Sequence, residues 1–377
     1  MHIAIDAHSV GSQLAGNETY ALNLIEALAA IDQQNTYTIY VTRKAAVDRF
    51  KDRWPNFLVR RILPHTPLVR IPLTLSVELR RRPVDVLHVQ YTAPPAAPCP
   101  VVATIHDLSF EHLPDTFNRR SRTQLRFTVR RTAQQAAKIV TLSNYSRRDI
   151  CETYRISTEK VTVTPAAAPM HFGPVGRETE LKRIRQRYGI DSDYILSLSS
   201  IQPRKNLVRL IEAYSSLRNA RAQSKLPTLV IAGKRGWLDA DVFRAAEQSG
   251  LGTDVLFIGY VAEPDLPALF SAAASFVYPS YFEGFGLPVL EAMQCGTPVI
   301  AGNRTSIPEI AGDAALLFDP FDSQALAAAL AQVMDDGELR ASLRKRGLAR
   351  AAQFSWQDTA RRTLKVYESL AEERVAG

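Results

Sequence analysis

The stretch ASFVYPSYFEGFGLPVLEAMQCG, residues 274–296, combines a strand, a loop and a helix in close succession. Its apolar start, 274–279, predicts a short strand. Leu287-Pro288 predicts a helix start, because a first helical residue does not need the amide hydrogen that proline lacks. Gly284 and Gly286 let the backbone approach a ligand closely, and the helix N-terminus offers N–H groups and partial positive charge. The stretch therefore predicts an anion site, with phosphate as the favoured anion.

Two carboxylates, Glu283 in the loop and Glu291 one turn into the helix, frame this site. Next to a phosphate they would be repulsive, so we expect them to bind hydroxyl groups of a sugar or a ribose. N–H groups that bind a phosphate, next to carboxylates that bind hydroxyl groups, indicate a nucleotide-sugar as the ligand. The alternative is an ordinary strand–helix turn with solvated glutamates.

Length and composition indicate a soluble globular protein of two domains: 377 residues are too many for one ordinary core, and 46% are hydrophobic and 22% charged. The start, MHIAIDAH, predicts a first strand and neither a signal peptide nor a membrane span. Cys99, Cys151 and Cys295 form no CxxC pair, which favours a reducing cytoplasm and no structural metal. We therefore expect a cytoplasmic protein.

Apolar β-rich runs alternate with helical patterns along the whole chain, which predicts an α/β fold of two doubly wound parallel-sheet (Rossmann-like) domains. A segment rich in Ala, Pro and Gly, 166–176, reads as the linker between them. The predicted strands of the first half are 2–7, 37–42, 57–63, 84–90, 101–106, 139–143 and 161–165. Those of the second half are 194–199, 228–233, 255–260, 274–279, 298–301 and 315–318.

Ligands of such sheets bind beyond the carboxyl ends of the strands. Arg204 and Lys205 follow one predicted strand and are suited to clamp a diphosphate, with Asn206 as the cap of the next helix; the alternative is a solvated basic turn. His106 follows another strand and is a titratable imidazole there. The loop 8–19, with Gly11 and Gly16, resembles a phosphate loop only loosely.

The run Phe282–Glu291, FEGFGLPVLE, is similar to the Glu-x7-Glu motif of retaining glycosyltransferases of family 4, which have the GT-B fold. Further blocks in the family's order surround it, so the resemblance covers nearly the whole chain: GNETY at 16–20, HDLSF at 106–110, SNYS at 143–146, PRKN at 203–206, GTPV at 296–299 and FSW at 354–356. Bacterial members with these blocks resemble mannosyltransferases of surface-polysaccharide assembly.

The resemblance implies two domains that face a cleft. Residues 1–172 would form an N-terminal acceptor-binding domain, and 173–355 a C-terminal domain that binds a nucleotide-sugar donor. A C-terminal helix, 356–377, would cross back to the first domain. GDP-mannose is the favoured donor and UDP-sugars the other candidates, and the acceptor would be a glycan or a lipid-linked glycan.

The resemblance also implies roles for single residues. Glu291 would bind the ribose, Glu283 the hydroxyls of the donor sugar, and Lys205 with Arg204 the diphosphate. His106 would contact the sugar across the cleft. The remaining implied contacts are through the backbone: the phosphate or sugar oxygens at Gly284, Phe285, Gly286 and Leu287, the base at Val261, and a phosphate at Gly16. The first loop lacks the usual double glycine, and Ser199-Ser200 stands where many members have Gly-Arg.

Preorganised cations and amides at the diphosphate stabilise the leaving group, so we expect neither a metal nor another cofactor. The triplets Asp191–Asp193 and Asp239–Asp241 are read as turn or helix-cap residues. A front-side displacement, with the β-phosphate accepting the acceptor's proton, is implied by the family. A nucleotide-sugar epimerase of the same fold and a non-catalytic nucleotide-sugar sensor are the alternatives.

The net positive charge lies in the first 170 residues, because Lys+Arg and Asp+Glu balance in the rest of the chain. Residues 1–170 carry 22 Lys+Arg against 14 Asp+Glu, which accounts for the whole net charge of +8. Arg119, Arg122, Arg126 and Arg130 fall on one face of a predicted helix, 118–136. This pattern favours docking on an anionic membrane surface, peripherally on the inner face of the plasma membrane; a solvated helix face is the alternative. Nucleic-acid binding is not expected, because no basic–aromatic interleaving or reader motif accompanies the charge.

Overall fold

The computed structural model describes residues 1–12, 15–221 and 226–376. The chain divides into two compact units, each considered separately below. The first contains Met1–His112, Asn118–Ala166 and the segment from Ser355 onwards; the second contains Leu113–Phe117 and Ala167–Phe354. The predicted domain boundaries were 172/173 and 355/356, and the sequence did not indicate that 113–117 belongs with the second unit.

The first unit is built on a parallel sheet of seven strands within the described residues, in the order β3-β2-β1-β4-β5-β6-β7. All predicted strands of this half are present, with slightly different ends. Their bounds are β1 His2–Asp6, β2 Thr36–Val41, β3 Phe57–Arg61, β4 Val86–Gln90, β5 Val101–Thr104, β6 Lys138–Thr141 and β7 Val161–Val163. Most of their residues are buried because helices cover the sheet, as is usual for parallel sheets.

The α-helices of this part of the chain are α1 Ala15–Ile31, α2 Lys44–Phe50, α3 Pro67–Val69, α4 Ser76–Arg81, α5 Ser109–His112, α6 Arg119–Gln135 and α7 Asn144–Tyr154. A π-helical segment, Arg70–Leu75, joins α3 to α4, so 67–81 is helical throughout. Asn118 caps α6 by accepting a hydrogen bond from the Ser121 amide at 2.8 Å. Short 3₁₀ turns are formed by Pro114–Thr116, in the segment of the second unit, and by Thr158–Lys160.

The second unit has a parallel sheet of six strands in its described part, in the order β10-β9-β8-β11-β12-β13. The predicted strands of this half are also present: β8 Tyr194–Leu198, β9 Thr228–Ala232, β10 Val255–Gly259, β11 Ser275–Tyr278, β12 Val299–Gly302 and β13 Ala315–Phe318. Strand β8 lies next to β11, so the direction of winding changes between these two strands. Such a reversal leaves a crevice beyond the carboxyl ends of the two strands.

The helices of the second unit are α8 Glu178–Tyr188, α9 Leu207–Ala220, α10 Ala240–Gln248, α11 Leu266–Ser271, α12 Leu287–Gln294, α13 Ile307–Ala311, α14 Ser323–Asp335 and α15 Gly337–Ala351. Its 3₁₀ turns include Pro203–Lys205, Gly252–Asp254 and Glu263–Asp265. Leu210, Ile211 and Leu330 are fully buried in its core, where α9 and α14 cover one face of the sheet.

The last helix, α16 Trp356–Ala376, packs against α1 and belongs to the first unit. Tyr367 contributes its hydroxyl to a 2.5 Å hydrogen bond with Nδ1 of His88, whose Nε2 lies 2.6 Å from the Thr104 hydroxyl. His88 is therefore a structural residue, since both of its ring nitrogens are hydrogen-bonded within the first unit. Of the helices that the structure describes, none combines the length and the apolar character needed to span a bilayer.

Candidate active site

The loops that follow β8 and β11 bring a carboxylate and two cations together. Oε1 of Glu283 accepts hydrogen bonds from Nζ of Lys205 at 2.5 Å, the Tyr278 hydroxyl at 3.0 Å and the Ser280 hydroxyl at 2.6 Å. Its Oε2 accepts from Nη1 of Arg204 at 3.2 Å. Lys205 also donates to the Tyr278 hydroxyl at 2.7 Å. Both oxygens of Glu283 therefore accept hydrogen bonds from other side chains.

This network keeps Glu283 ionised. Burial alone would raise the pKa of its carboxyl, but the charges of Lys205 and Arg204 and the hydrogen bonds from Lys205 and Ser280 lower that pKa to about 2. Burial raises the pKa of the neighbouring Tyr278 hydroxyl well above its ordinary value, so that hydroxyl keeps its proton. The predicted diphosphate clamp of Arg204 and Lys205 is thus in contact with the carboxylate predicted to bind the sugar.

The loop that carries Glu283 is held by the next strand–helix connection, after β12. The amide of Glu283 donates to Oγ1 of Thr305 at 3.0 Å. The buried Ser306 hydroxyl lies 2.9 Å from the carbonyl oxygen of Glu283 and 3.0 Å from that of Phe285. Gly286 has a φ of 106°, and a Cβ there would lie 2.6 Å from Cδ1 of Ile307. The left-handed backbone therefore favours glycine at 286, and a side chain there would also force Ile307 to shift.

Glu291, in the first turns of α12, has the opposite environment. It is 8% exposed. Within the described part of the chain its side chain has neither a hydrogen bond nor an ion pair. Burial, with a smaller contribution from the charge of Glu263, raises the pKa of its carboxyl to about 8. A carboxyl whose pKa is raised strongly by burial is typical of a functional site.

The loop after β10 lies beside Glu291. Val261, predicted to contact the base through its backbone, is buried there, and Glu263 is close enough to raise the pKa of the Glu291 carboxyl. The structure therefore brings Val261, Glu291 and the glycine loop to one edge of the second sheet.

Asn206 does not cap α9, contrary to the prediction. Its backbone is left-handed, with a φ of 58°, and its Nδ2 donates to the carbonyl oxygens of Pro279 at 3.0 Å and Pro320 at 2.8 Å. It thus ties the basic loop to the loops after β11 and β13. Buried side-chain oxygens of Ser199 and Gln202 have no hydrogen-bond partner among the described residues. The sequence alone did not point to Gln202.

In the first unit, His106 follows β5. Its Nε2 lies 3.0 Å from Oε1 of Gln90, so Nε2 carries the proton and donates. The ring of Tyr20 meets the imidazole edge-on, at 4.8 Å between ring centroids. Burial lowers the pKa of His106 to about 4. The imidazole is therefore neutral at pH 7, where the sequence had indicated only a titratable group.

The first loop, residues 8–19, is described in part. Its residues 13 and 14 lie outside the described part of the chain. Gly16 is exposed in the first turn of α1, and a Cβ added to it would meet nothing within 4 Å. The amide of Gly11 donates to the carboxylate of Glu18 at 2.8 Å. The predicted role of Gly16 remains a prediction.

The aspartate triplets form ion pairs with arginines. Asp193 pairs with Arg185, Asp239 with Arg235 and Asp241 with Arg244. Asp239 precedes α10, but its side chain makes no capping hydrogen bond. A search of the described residues finds no group of three or more His, Cys, Asp or Glu arranged to hold a metal ion.

The hydroxyl-bearing residues that position Glu283 were not predicted from the sequence. Tyr278 and Ser280 stand at the end of β11, and Thr305 and Ser306 stand in the loop after β12. Their positions at the ends of two predicted strands could have indicated that they lie near Glu283, since the carboxyl ends of neighbouring parallel strands meet at one edge of a sheet.

Two family descriptions match the chain: Glycosyltransferase Family 4 at residues 14–168 and Glycosyl transferases group 1 at residues 181–350. The chain is 35% identical to O-antigen chain mannosyltransferase B of Escherichia coli over 270 residues, which cover 71% of this chain and 70% of that protein. It is 32% identical to serotype-specific mannosyltransferase WbdA of Escherichia coli over 241 residues, 63% of this chain but only 29% of that longer protein.

Among solved structures, HepE of Anabaena in complex with UDP and glucose superposes with a TM-score of 0.74. The two sequences are 20% identical, and the match covers 98% of this chain and 99% of that one. The family matches agree with the two parallel sheets and with the loop and helix that carry Glu283 and Glu291. This chain belongs to glycosyltransferase family 4 and has the GT-B fold.

Proposed function

We propose that this chain is a retaining glycosyltransferase of bacterial surface-polysaccharide assembly, which moves a sugar from a nucleoside-diphosphate sugar to a glycan or lipid-linked acceptor. The observation that carries the donor site is Glu291, a buried carboxyl without a side-chain partner in the described structure, beside a glycine loop and a helix start. GDP-mannose is the favoured donor because the similar Escherichia coli proteins are named mannosyltransferases. UDP-sugars are the other candidates, since HepE was solved with UDP and glucose.

In this proposal Glu291 accepts hydrogen bonds from the ribose, and Val261 contacts the base through its backbone. The amides near the start of α12 bind oxygens of the phosphate or the sugar; the residues concerned are Gly284, Phe285, Gly286 and Leu287. A helix N-terminus favours such oxygens because its N–H groups and dipole face them. Gly286 allows the close approach, since its left-handed backbone admits no side chain without a shift of Ile307.

The proposed chemistry is stabilisation of the leaving group. The bond between the anomeric carbon and the β-phosphate oxygen breaks, and a bond from that carbon to the acceptor oxygen forms on the same face. The acceptor's proton goes to the departing phosphate. Lys205 and Arg204 form ion pairs with Glu283. They also donate hydrogen bonds to the diphosphate as its negative charge develops. We propose that these cations make a metal unnecessary.

Glu283 and His106 are assigned to the donor sugar. Glu283 is ionised, with its pKa lowered to about 2, and suits hydrogen-bond acceptance from sugar hydroxyls. His106 is neutral at pH 7 because burial lowers its pKa to about 4. It therefore acts through hydrogen bonding and not through charge.

The experiment is a thermal-shift screen with GDP-mannose, UDP-glucose and other nucleotide-sugars, since a ligand that binds the folded state raises its stability. The stabilising donors are then incubated with the protein, and the products are identified. Slow hydrolysis to free sugar and nucleoside diphosphate supports a transferase. Conversion to a second nucleotide-sugar would show an epimerase, and stabilisation without any product would show a sensor.

We further propose that the first unit docks on an anionic membrane surface. Of the arginines on α6, Arg119, Arg126 and Arg130 are exposed and Arg122 is partly exposed. Arg126 is paired with Glu111 at 2.6 Å, so it contributes less than its neighbours. An exposed apolar ridge on the helical segment 67–81 supports the same surface; Val69, Leu73 and Val77 recur at every fourth residue on its outer side.

Sedimentation with vesicles of varied anionic lipid content tests this docking, because each basic residue near such a surface contributes about 1 kcal/mol. Binding should rise with anionic content and fall with salt. Changing Arg119, Arg122, Arg126 and Arg130 to glutamine should abolish it. A matched control changes four exposed cations of the second unit and should keep it: Lys182, Arg244, Arg304 and Lys345. Equal binding to neutral and anionic vesicles would contradict the proposal.

A further inference from the structure

A pocket of about 330 Å³ lies entirely within the first unit. It opens between the helical segment 67–81 and α6, and residues that follow β1 and β4 complete its wall. We call it the Arg70 pocket; Arg70, Leu68, Ile71, Leu125, Phe127 and Arg131 are among the residues that line it. Gln90, the hydrogen-bond partner of His106, also lines it, whereas Glu283, Glu291 and Lys205 do not.

Arg70 is the unusual member of this lining, because its side chain is 0% exposed. Its Nη1 donates to both carboxylate oxygens of Asp6 at 2.8 Å. Its Nε and Nη2 are buried and have no hydrogen-bond partner among the described residues. Donors left unpaired in an interior are rare, and an acceptor in the pocket would satisfy them once the side chains that shield Arg70 move aside.

The charges around the pocket favour an anion as that acceptor. Its described lining contains the cations Arg70 and Arg131 and no aspartate or glutamate. Asp6, which is not part of the lining, pairs with Arg70 and also lies 3.2 Å from Nδ1 of His8. A guanidinium with two adjacent free donors matches the oxygens of a phosphate or diphosphate.

The outer part of the pocket is apolar. Ile71 and Leu125 line it, and Leu68 and Phe127 are 68% and 67% exposed beside it. Large apolar side chains with this exposure, grouped at one opening, are typical of a surface that contacts an apolar ligand. Inorganic phosphate would leave this part of the pocket unused, whereas a phosphate that carries an apolar chain would fill both parts.

We propose that the Arg70 pocket binds the lipid phosphate of the acceptor, with the phosphate at Arg70 and the start of the apolar chain against Leu68 and Phe127. This inference rests on the proposed function, which includes a lipid-linked acceptor, and it specifies which part of the acceptor the first unit holds.

The probe is dodecyl phosphate, titrated into the full chain below its micellar concentration and followed by calorimetry. Inorganic phosphate and the uncharged amphiphile octaethylene glycol monododecyl ether are the comparison ligands. We expect dodecyl phosphate to bind at least roughly tenfold more tightly than either, because only it offers both a charge for Arg70 and an apolar chain. If inorganic phosphate binds as tightly as dodecyl phosphate, the pocket is a site for free phosphate. If the uncharged amphiphile binds as tightly, the pocket is an apolar surface without a role for Arg70. Either result overturns the proposal.

Variants locate the binding. Arg70→Lys keeps a cation for Asp6 but removes the unpaired donors, and it should weaken dodecyl phosphate binding about tenfold without affecting the uncharged amphiphile. Phe127→Ser, at an exposed position, should weaken both amphiphiles and leave folding intact. Leu58→Ser is the matched control, since Leu58 is 50% exposed on β3 and does not line the pocket. Unchanged dodecyl phosphate binding in both pocket variants would place the ligand elsewhere and refute the inference.

The same variants are titrated with the nucleotide-sugar that stabilises the wild-type protein. Donor binding should change little, because most residues assigned to the donor, with Glu283, Glu291 and Lys205 among them, lie in the second unit, whereas Arg70 and Phe127 lie in the first. If no nucleotide-sugar binds while dodecyl phosphate does, the proposed function fails and the pocket remains. If donors bind and dodecyl phosphate does not, only the pocket assignment fails.

Discussion

Replacing Glu291 by glutamine should change the number of protons released when a nucleoside diphosphate binds. Burial raises the pKa of the Glu291 carboxyl to about 8 in the ligand-free protein. At pH 7 a group with that pKa holds ~0.9 of a proton on average. Hydrogen bonds from ribose hydroxyls favour the ionised carboxylate and so lower its pKa on binding. The wild-type protein should therefore release ~0.9 more protons per bound nucleotide than Glu291→Gln does.

Calorimetry measures this difference directly. GDP and UDP are titrated at pH 7 in buffers of different ionisation enthalpy, and the slope of the observed heat gives the proton count. The phosphate of the ligand titrates equally in both proteins, so the difference between them isolates Glu291. At pH 9.5 the carboxyl is already ionised, and the difference should vanish. Equal proton counts for the two proteins at pH 7 would refute the assignment of Glu291 to the ribose.

The same substitution has a consequence for stability without ligand. The folded-state pKa lies above the ordinary carboxyl value of 4.5, so the folded protein binds the proton more tightly than the unfolded chain does. This contribution to stability is complete below pH 4.5 and is lost as pH rises through 8. Between pH 6 and pH 8 the free energy of unfolding should fall by about 2 kcal/mol more in the wild-type protein than in Glu291→Gln, as urea unfolding would show.

Three further substitutions test the rest of the site. Glu283→Gln should lower turnover at least roughly tenfold, about 1.4 kcal/mol of lost transition-state stabilisation, with little effect on binding of free nucleoside diphosphate; comparable losses in both would contradict its role at the sugar. Lys205→Ala should reduce the rate of transfer far more than EDTA does, and a rate that EDTA abolishes and magnesium or manganese restores would show that a metal is required. Gly286→Ala should destabilise the protein by about 1–3 kcal/mol, because its φ is 106° and the new Cβ would lie 2.6 Å from Cδ1 of Ile307. Gly16→Ala is the control, since a Cβ there meets nothing within 4 Å, and thermal unfolding that affected both glycine variants equally would argue against this reason.

The sequence predicted the elements of the fold well because parallel strands buried on both faces have a strong local signature. Runs such as the predicted strand 194–199 are largely apolar and bounded by turn residues. The observed strand β8 has the same start and ends one residue earlier than predicted. The family motif likewise located Glu283 and Glu291, because a glycine loop between a strand and a helix is encoded within a few consecutive residues.

Local sequence did not reveal the partners of these residues. Lys205 and Glu283 are 78 residues apart, and they meet only because β8 and β11 are neighbours in the sheet. Asn206 is a residue type that often caps helices. Here its backbone is left-handed and its side chain donates hydrogen bonds to two carbonyl oxygens that are distant in sequence. A short-range preference of about 1 kcal/mol for capping is easily outweighed by two buried hydrogen bonds.

The sequence by itself determined the α/β class, the strands and the identity of the paired glutamates, since each depends on the order and polarity of nearby residues. Only the tertiary structure decided their protonation: Glu283 is ionised beside two cations, and Glu291 is protonated at neutral pH because nothing in its described surroundings compensates for burial. It also decided that Arg70 is buried against Asp6, 64 residues away. Both outcomes depend on solvent exclusion and on charges from distant segments, and these exist only after the sheets have assembled.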